Sequence, residues 1–292
     1  MLRSRAVADV LDRLVKLLAL ERIEENLFRG QSQDLGWGTV FGGQVVGQSL
    51  SAAAQTVPPD RHVHSLHAYF LRPGDVTKPI VYDVDRIRDG SSFTTRRVVA
   101  IQNGKAIFNV AASFHKEEPG FEHQATMPGV AEAETFKTDQ ERFAAVADKL
   151  PPFARERATA VSPIQLRHVD PEEDLFYPEK RPPKRMVWLR AIAPLPDDPA
   201  LHAYLLAYAS DFAFVTTALL PHGVSWLSGG MQIASIDHVM WFHRPTRIDE
   251  WHLYVMDSPS AHGARGLARG LVFSKDGRLV ASTCQEGLIR KR

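Results

Sequence analysis

A single cysteine, Cys284, stands in 292 residues, so an intrachain disulfide is excluded, as is any CxxC redox or metal site. Such a chain suits a reducing compartment, and the cytoplasm is the expected one. No run approaches the roughly 18 apolar residues that a membrane-spanning helix needs. Net charge is also scarce: 35 Lys and Arg meet 34 Asp and Glu, leaving a formal +1. That balance gives no reason to expect nucleic acid or a membrane as partner, so the ligand belongs in a pocket. There is no HExxH and no Walker-type loop. Nor is there a GxSxG: Gly223-Val224-Ser225-Trp226-Leu227 lacks the final glycine, and a nucleophile elbow has no support. An enzyme built from this chain is expected to work without a metal, a cofactor or a covalent nucleophile.

What the chain does have is an internal repeat. Phe70 to Pro73 (FLRP) resembles Phe242 to Pro245 (FHRP), 172 residues later. Downstream, IQNGKAIFNVAAS from Ile101 resembles FSKDGRLVASTCQ from Phe273, with Gly104 matching Gly277. The alternating segments SFTTRRVVAI and ARGLARGLVF run into Asn103-Gly104 and Asp276-Gly277, and a second strand-like run follows each. That pattern predicts a long antiparallel hairpin in each half. A helical segment precedes each set of strands: FGGQVVGQSLSAAAQTV from Phe41, and LHAYLLAYASDFAFVTTALL from Leu201. Each glycine in the first costs a helix roughly 1 kcal/mol. Close approach to a sheet is a physical reason to accept it; a loop followed by a short helix is the competing reading.

Each unit thus reads as one long helix and an antiparallel meander of about four strands, an α+β pattern. The expected division is an N-terminal unit over 1–118, a long connection with little regular structure over 119–184, and a C-terminal unit over 185–292. The opening MLRSRAVADVLDRLVKLLAL is basic and amphipathic, but Asp9 and Asp12 interrupt it and no small-residue cleavage site follows. Val7, Leu11, Leu14, Val15 and Leu18 recur at helical spacing, which predicts a helix docked on the body. The closing LIRKR is not an SKL-type address.

Asp211 is the only Asp, Glu, Lys or Arg between Leu201 and Ile236, set among Tyr204, Leu205, Tyr208, Phe212, Phe214 and Val215. A carboxylate in an apolar helix is costly to bury unless partnered, and a general base wants such a setting. The pattern equally fits a thin solvent-facing stripe. Ser235 opens SIDHVMWFHRP and Gln285 closes ASTCQ, each unremarkable alone. His62, His64 and His67 cluster ahead of FLRP, and His62 and His64 share a strand face, yet no third ligand of cysteine or carboxylate type lies near and a zinc site is not expected. Asp237 and His238 are strand neighbours pointing to opposite faces, which favours structural roles over a dyad.

Several blocks follow in order from about Leu20 to Gly287: LFRGQSQDLGWGTVFGGQVVGQ, VHSLHAYFLRPGD, RDGSSFTTRRVVAIQNGKAIF, GFEHQ, YASDF, IDHVMWFHRP and STCQEG. Together they resemble the acyl-CoA thioesterase II (TesB-like) family over nearly the whole chain. The resemblance implies a double hotdog, two tandem units each with a long helix packed on an antiparallel sheet. It also implies hydrolysis of medium to long chain fatty acyl-CoA to free acid and CoA, with a homodimer or homotetramer as the assembly. By position, the family's water-holding carboxylate, hydroxyl and glutamine fall on Asp211, Ser235 and Gln285, with His64 secondary. The hydroxyl is commonly Thr in the family; Ser235 keeps its donor and acceptor but loses the methyl that fixes the rotamer. The implied mechanism is direct attack of water on the thioester, the oxyanion being met by backbone N–H groups or a helix N-terminus.

Two other functions share such a scaffold. A hotdog enoyl-CoA hydratase would use an Asp–His pair, and Asp211 has no histidine within four residues. A non-catalytic acyl-CoA sensor would carry an added effector domain, for which no segment is long or basic enough. The product separates the three: free acid, hydrated acyl-CoA or unchanged ligand.

Overall fold

The structure is a computed structural model that describes residues 2–150, 155 and 160–292. Helix α1 (Leu2–Leu18) leads into a short hairpin, β1 (Glu21–Glu24) and β2 (Leu27–Gly30). Helix α2 (Gly42–Ala54) follows, then β3 (Arg61–Phe70), β4 (Ile80–Asp89), β5 (Phe93–Gln102) and β6 (Lys105–Lys116). After helix α3 (Asp139–Ala144) the pattern recurs: β7 (Ile164–His168), β8 (Lys184–Ala191) and helix α4 (Pro199–Ala209). The strands β9 (Met231–Ser235), β10 (Asp237–Phe242), β11 (His252–His262), β12 (Arg265–Ser274) and β13 (Leu279–Lys291) complete it.

All pair antiparallel in one sheet, in the order β1-β2-β4-β5-β6-β3-β10-β13-β12-β11-β8-β7, with β9 on β13. The order is a mirror about β3 and β10, which place Val239 opposite His67 and Met240 opposite Leu66. Alternation chooses the inner face. Along β5, Thr94, Arg96, Val98, Ala100 and Gln102 are buried while their neighbours are not. The β5–β6 turn needs Asn103-Gly104 because both residues have positive φ, 51° and 70°. One apolar cluster runs through both halves, joining Leu66, Val98 and Ala100 to Leu205, Met240 and Tyr254. Leu11, Leu14 and Leu18 of α1 are buried in it; the side chain of Val7 lies outside the described residues. No helix among the described residues is long and apolar enough to cross a membrane.

Three details depart from the sequence reading. The segment Leu201 to Leu220 is not one helix. Asp198 caps α4 by accepting from the Ala200 N–H at 3.0 Å, Pro199 fills its first turn, and the helix stops at Ala209. Ala213 takes φ 60°, and a 3₁₀ stretch (Val215–His222) follows. The glycines of α2 make room for α4 as well as the sheet. A Cβ at Gly43 would lie 2.2 Å from the Tyr208 carbonyl oxygen, and one at Gly47 would lie 3.1 Å from that of Tyr204. The connection 119–184 is also more ordered than expected. It supplies α3 and the edge strand β7, and it seats Ala133 in a cluster with Trp188, Trp251 and Leu253. Trp188 Nε1 donates to the Ala131 carbonyl at 3.0 Å and Trp251 Nε1 to Glu134 Oε1 at 2.6 Å, so the indole donors hold the strap down.

Two stability predictions follow from this packing. Gly43→Ala drives a Cβ into the backbone of α4, which cannot retreat as a flexible side chain would; it should cost about 2 kcal/mol or more in denaturant unfolding. His252 is fully buried, its Nδ1 donating to the Glu250 carbonyl at 2.9 Å and its Nε2 accepting from Thr246 at 2.6 Å. Burial holds its pKa down at about 4, against an ordinary value of 6.5. Below 6.5 the unfolded chain therefore binds a proton that the folded chain refuses until about pH 4. The melting temperature should fall as pH drops through that window, and His252→Gln should flatten the slope.

Candidate active site

The break after α4 presents Asp211 to the inner face of the sheet. Gln285, buried on β13, donates Nε2–H to Asp211 Oδ1 at 2.7 Å. Ser235, the last residue of β9 and opposite Gly287 on β13, donates Oγ–H to the same oxygen at 3.3 Å. The three residues that the sequence resemblance singled out thus meet at one carboxylate oxygen. The other oxygen faces the opposite half of the chain: a Cβ on Gly42, at the start of α2, would stand 2.6 Å from Asp211 Oδ2. Phe41 at the head of α2 makes no side-chain cap bond. Its ring stacks on Phe212 at 4.6 Å and meets Tyr208 edge-on at 5.2 Å, giving the site an apolar wall.

Behind Gln285 lies a group that sequence reasoning consigned to a structural role. His238 on β10 is fully buried, and its Nδ1 accepts from Gln285 Nε2 at 3.1 Å. Its Nε2 stands 2.9 Å from Ser210 Oγ, and the Ser210 hydroxyl donates to the Ala207 carbonyl at 2.8 Å. Burial keeps the imidazole pKa below its ordinary value, so the ring is neutral at pH 7. The only hint in the sequence was strand alternation, which puts His238 on the helix side and Asp237 on the other. Asp237 accepts from the Glu286 N–H at 2.6 Å, a backbone clamp between β10 and β13.

His64 stands apart. It bonds Ser113 at 2.8 Å beside Phe93 and His115. Phe70, whose ring shares the surroundings of Gly42 with Asp211, lies six residues further along β3, about 20 Å at the rise of a strand. His67 packs edge-on against Trp241 at 5.5 Å. Among the described residues no three His, Cys, Asp or Glu side chains gather as a metal would require.

A helix laid on an antiparallel sheet, twice in one chain with the two sheets joined edge to edge, is the double hotdog, the fold of a large class of thioesterases. Residues 165–288 match the acyl-CoA thioesterase family, and residues 32–115 match the acyl-CoA thioesterase N-terminal domain. The acyl-CoA thioesterase 2 of Haemophilus influenzae is 47% identical, over 97% of this chain and 99% of its own. Human acyl-coenzyme A thioesterase 8 is 42% identical, over 99% of this chain and 90% of its own. A crystal structure of the acyl-CoA thioesterase II TesB2 from Mycobacterium marinum superposes with a TM-score of 0.78 at 40% identity, covering 96% of this chain and 98% of that one. The chain belongs to the TesB-like acyl-CoA thioesterase II family.

The proximity of Gly42 and Asp211 can be tested directly. Gly42→Ala should displace the carboxylate and lower kcat about 10-fold or more, while circular dichroism and the melting temperature stay near wild type.

Proposed function

We propose that the chain hydrolyses acyl-CoA thioesters to free acid and CoA, with Asp211 as general base. The observation that carries this reading is the division of labour between the two carboxylate oxygens. Gln285 and Ser235 both donate to Oδ1, which fixes the carboxylate plane, while Oδ2 points at the uncapped start of α2. A water between Oδ2 and the thioester carbonyl gives its proton to Asp211 as its oxygen attacks the carbon. The resulting oxyanion is met by the first N–H groups of α2, aided by the positive end of the helix dipole. Collapse breaks the C–S bond, and the proton held by Asp211 passes to the departing thiolate.

The aromatic wall of Phe41, Tyr208 and Phe212 suits a medium to long fatty acyl chain and keeps bulk water from the carbonyl. The relatives described above, all acyl-CoA thioesterases by name, support acyl-CoA as the substrate. A homodimer or homotetramer in the cytoplasm is the setting this reading carries with it. A hydratase draws no support from the site: the imidazole nearest Asp211 reaches it only through Gln285.

The test is release of CoA thiol from a series of medium to long acyl-CoAs by wild type and Asp211→Asn. The expected result is turnover by wild type and a loss of about 10²-fold or more in kcat for the variant. Full activity in Asp211→Asn would move the base elsewhere. No thiol from any acyl-CoA would overturn the hydrolase reading itself.

A further inference from the structure

We infer that His238 is a positioning residue that fixes the amide of Gln285 in the one orientation able to support Asp211. The chain of bonds starts at the end of α4. Ser210 has a single hydroxyl hydrogen, and it goes to the Ala207 carbonyl at 2.8 Å. Toward His238, therefore, Ser210 Oγ can only accept, so the ring nitrogen 2.9 Å away, Nε2, must carry the imidazole proton. A neutral imidazole protonated at Nε2 is bare at Nδ1. Nδ1 in turn can only accept from Gln285, at 3.1 Å, which requires the NH₂ end of the amide to face it. The second hydrogen of that NH₂ then falls on Asp211 Oδ1 at 2.7 Å.

The reversed amide would set Oε1 against both Nδ1 and the carboxylate, two acceptors facing an acceptor. A carbonyl in α4 thereby dictates, through Ser210, His238 and Gln285, which way a donor points at the proposed base. Burial of the network supports the assignment. His238, Gln285 and Ser210 are each at most 1% exposed, so water offers no alternative partner. The remaining neighbours of the imidazole are neutral: Phe214 stands edge-on at 6.0 Å, and Ala68 pairs across from β3. Among the described residues, Asp211 is the one charged group bearing on it. Gln285 Oε1, the end turned away, has no partner among the described residues.

The inference rests on the reading of Asp211 as base, and the experiment separates the two. His238→Leu keeps the buried volume and removes the acceptor. His238→Asn restores an acceptor, its Oδ1 standing where Nδ1 was, but cannot reach Ser210. His238→Leu should lower kcat about 10-fold or more with KM within about twofold, and His238→Asn should recover most of that loss. In a Gln285→Ala background, already impaired, His238→Leu should cost almost nothing further, because His238 acts only through the missing amide. If His238→Leu does not fold, Ser210→Ala takes its place; it frees the tautomer and should lower kcat only when Gln285 is present.

Equal losses from Leu and Asn, or a His238 effect of undiminished size without Gln285, would overturn the inference. Asp211→Asn is run alongside. Wild-type turnover in that variant would remove the base assignment. Its inactivity, together with additive His238 and Gln285 effects, would remove only the role of His238.

Discussion

The antiparallel seam between β3 and β10 is the interaction on which the rest of the molecule depends. Each half alone ends in an edge strand with unpaired N–H and C=O groups, a state that is costly when covered and prone to aggregation when open. Joining the two edges satisfies both at once and fuses two sheets into one. It also sets the antiparallel contact of α2 with α4, because helices lying on one continuous sheet have little freedom to separate. The glycines at 43 and 47 let that contact close to the distance of backbone against backbone. Only then does the head of α2 arrive at Asp211, which belongs to the other half.

The site adds a polar cluster to this apolar interior, and its cost is contained by completeness. A buried imidazole, amide and hydroxyl, with a half-buried carboxylate and second hydroxyl, would each destabilise the interior if left alone. Here nearly every donor meets an acceptor, and the chain of bonds ends on the Ala207 carbonyl of α4. Tyr254 extends the same logic, donating to the Ser210 carbonyl at 3.1 Å and sharing a bond of 2.8 Å with Thr283. Rigidity of the site is thus inherited from secondary structure and not from long flexible side chains.

Much of this was legible in the residues. The repeat, the paired turns at Gly104 and Gly277 and the alternating strands announced a duplicated α+β unit, because strand period and turn chemistry are local properties. Asp211 stood out for its isolation in an apolar stretch, and the family resemblance tied Ser235 and Gln285 to it. What stayed hidden depends on long-range approach. Nothing local says that a helix stops at Ala209, since Ser210 to Val215 contains no proline or glycine and the break is made by tertiary packing. Gly42 reads as a poor helix former until its neighbour from the other half is seen. Strand alternation points His238 away from Asp237 and so argues against a dyad, but it says nothing of what His238 meets on the helix side. Its partners lie 28 and 47 positions away in the chain.

The correspondence of β6 with β13 carries a consequence for the two halves as evolving units. Counting from the matched glycines, the counterpart of Gln285 is Ala112, which is also buried and opposes Leu66 on β3. An alanine can neither orient a carboxylate nor hold a water. With Asp211 as the proposed base, the duplication has not produced twin catalysts. On that reading one copy keeps the acid–base apparatus, and the other, released from it, serves as the wall and helix terminus that the first requires. Such specialisation ties each copy to its partner: a chain of this kind holds one reaction centre where its symmetry would suggest two, and neither half can drift without the other.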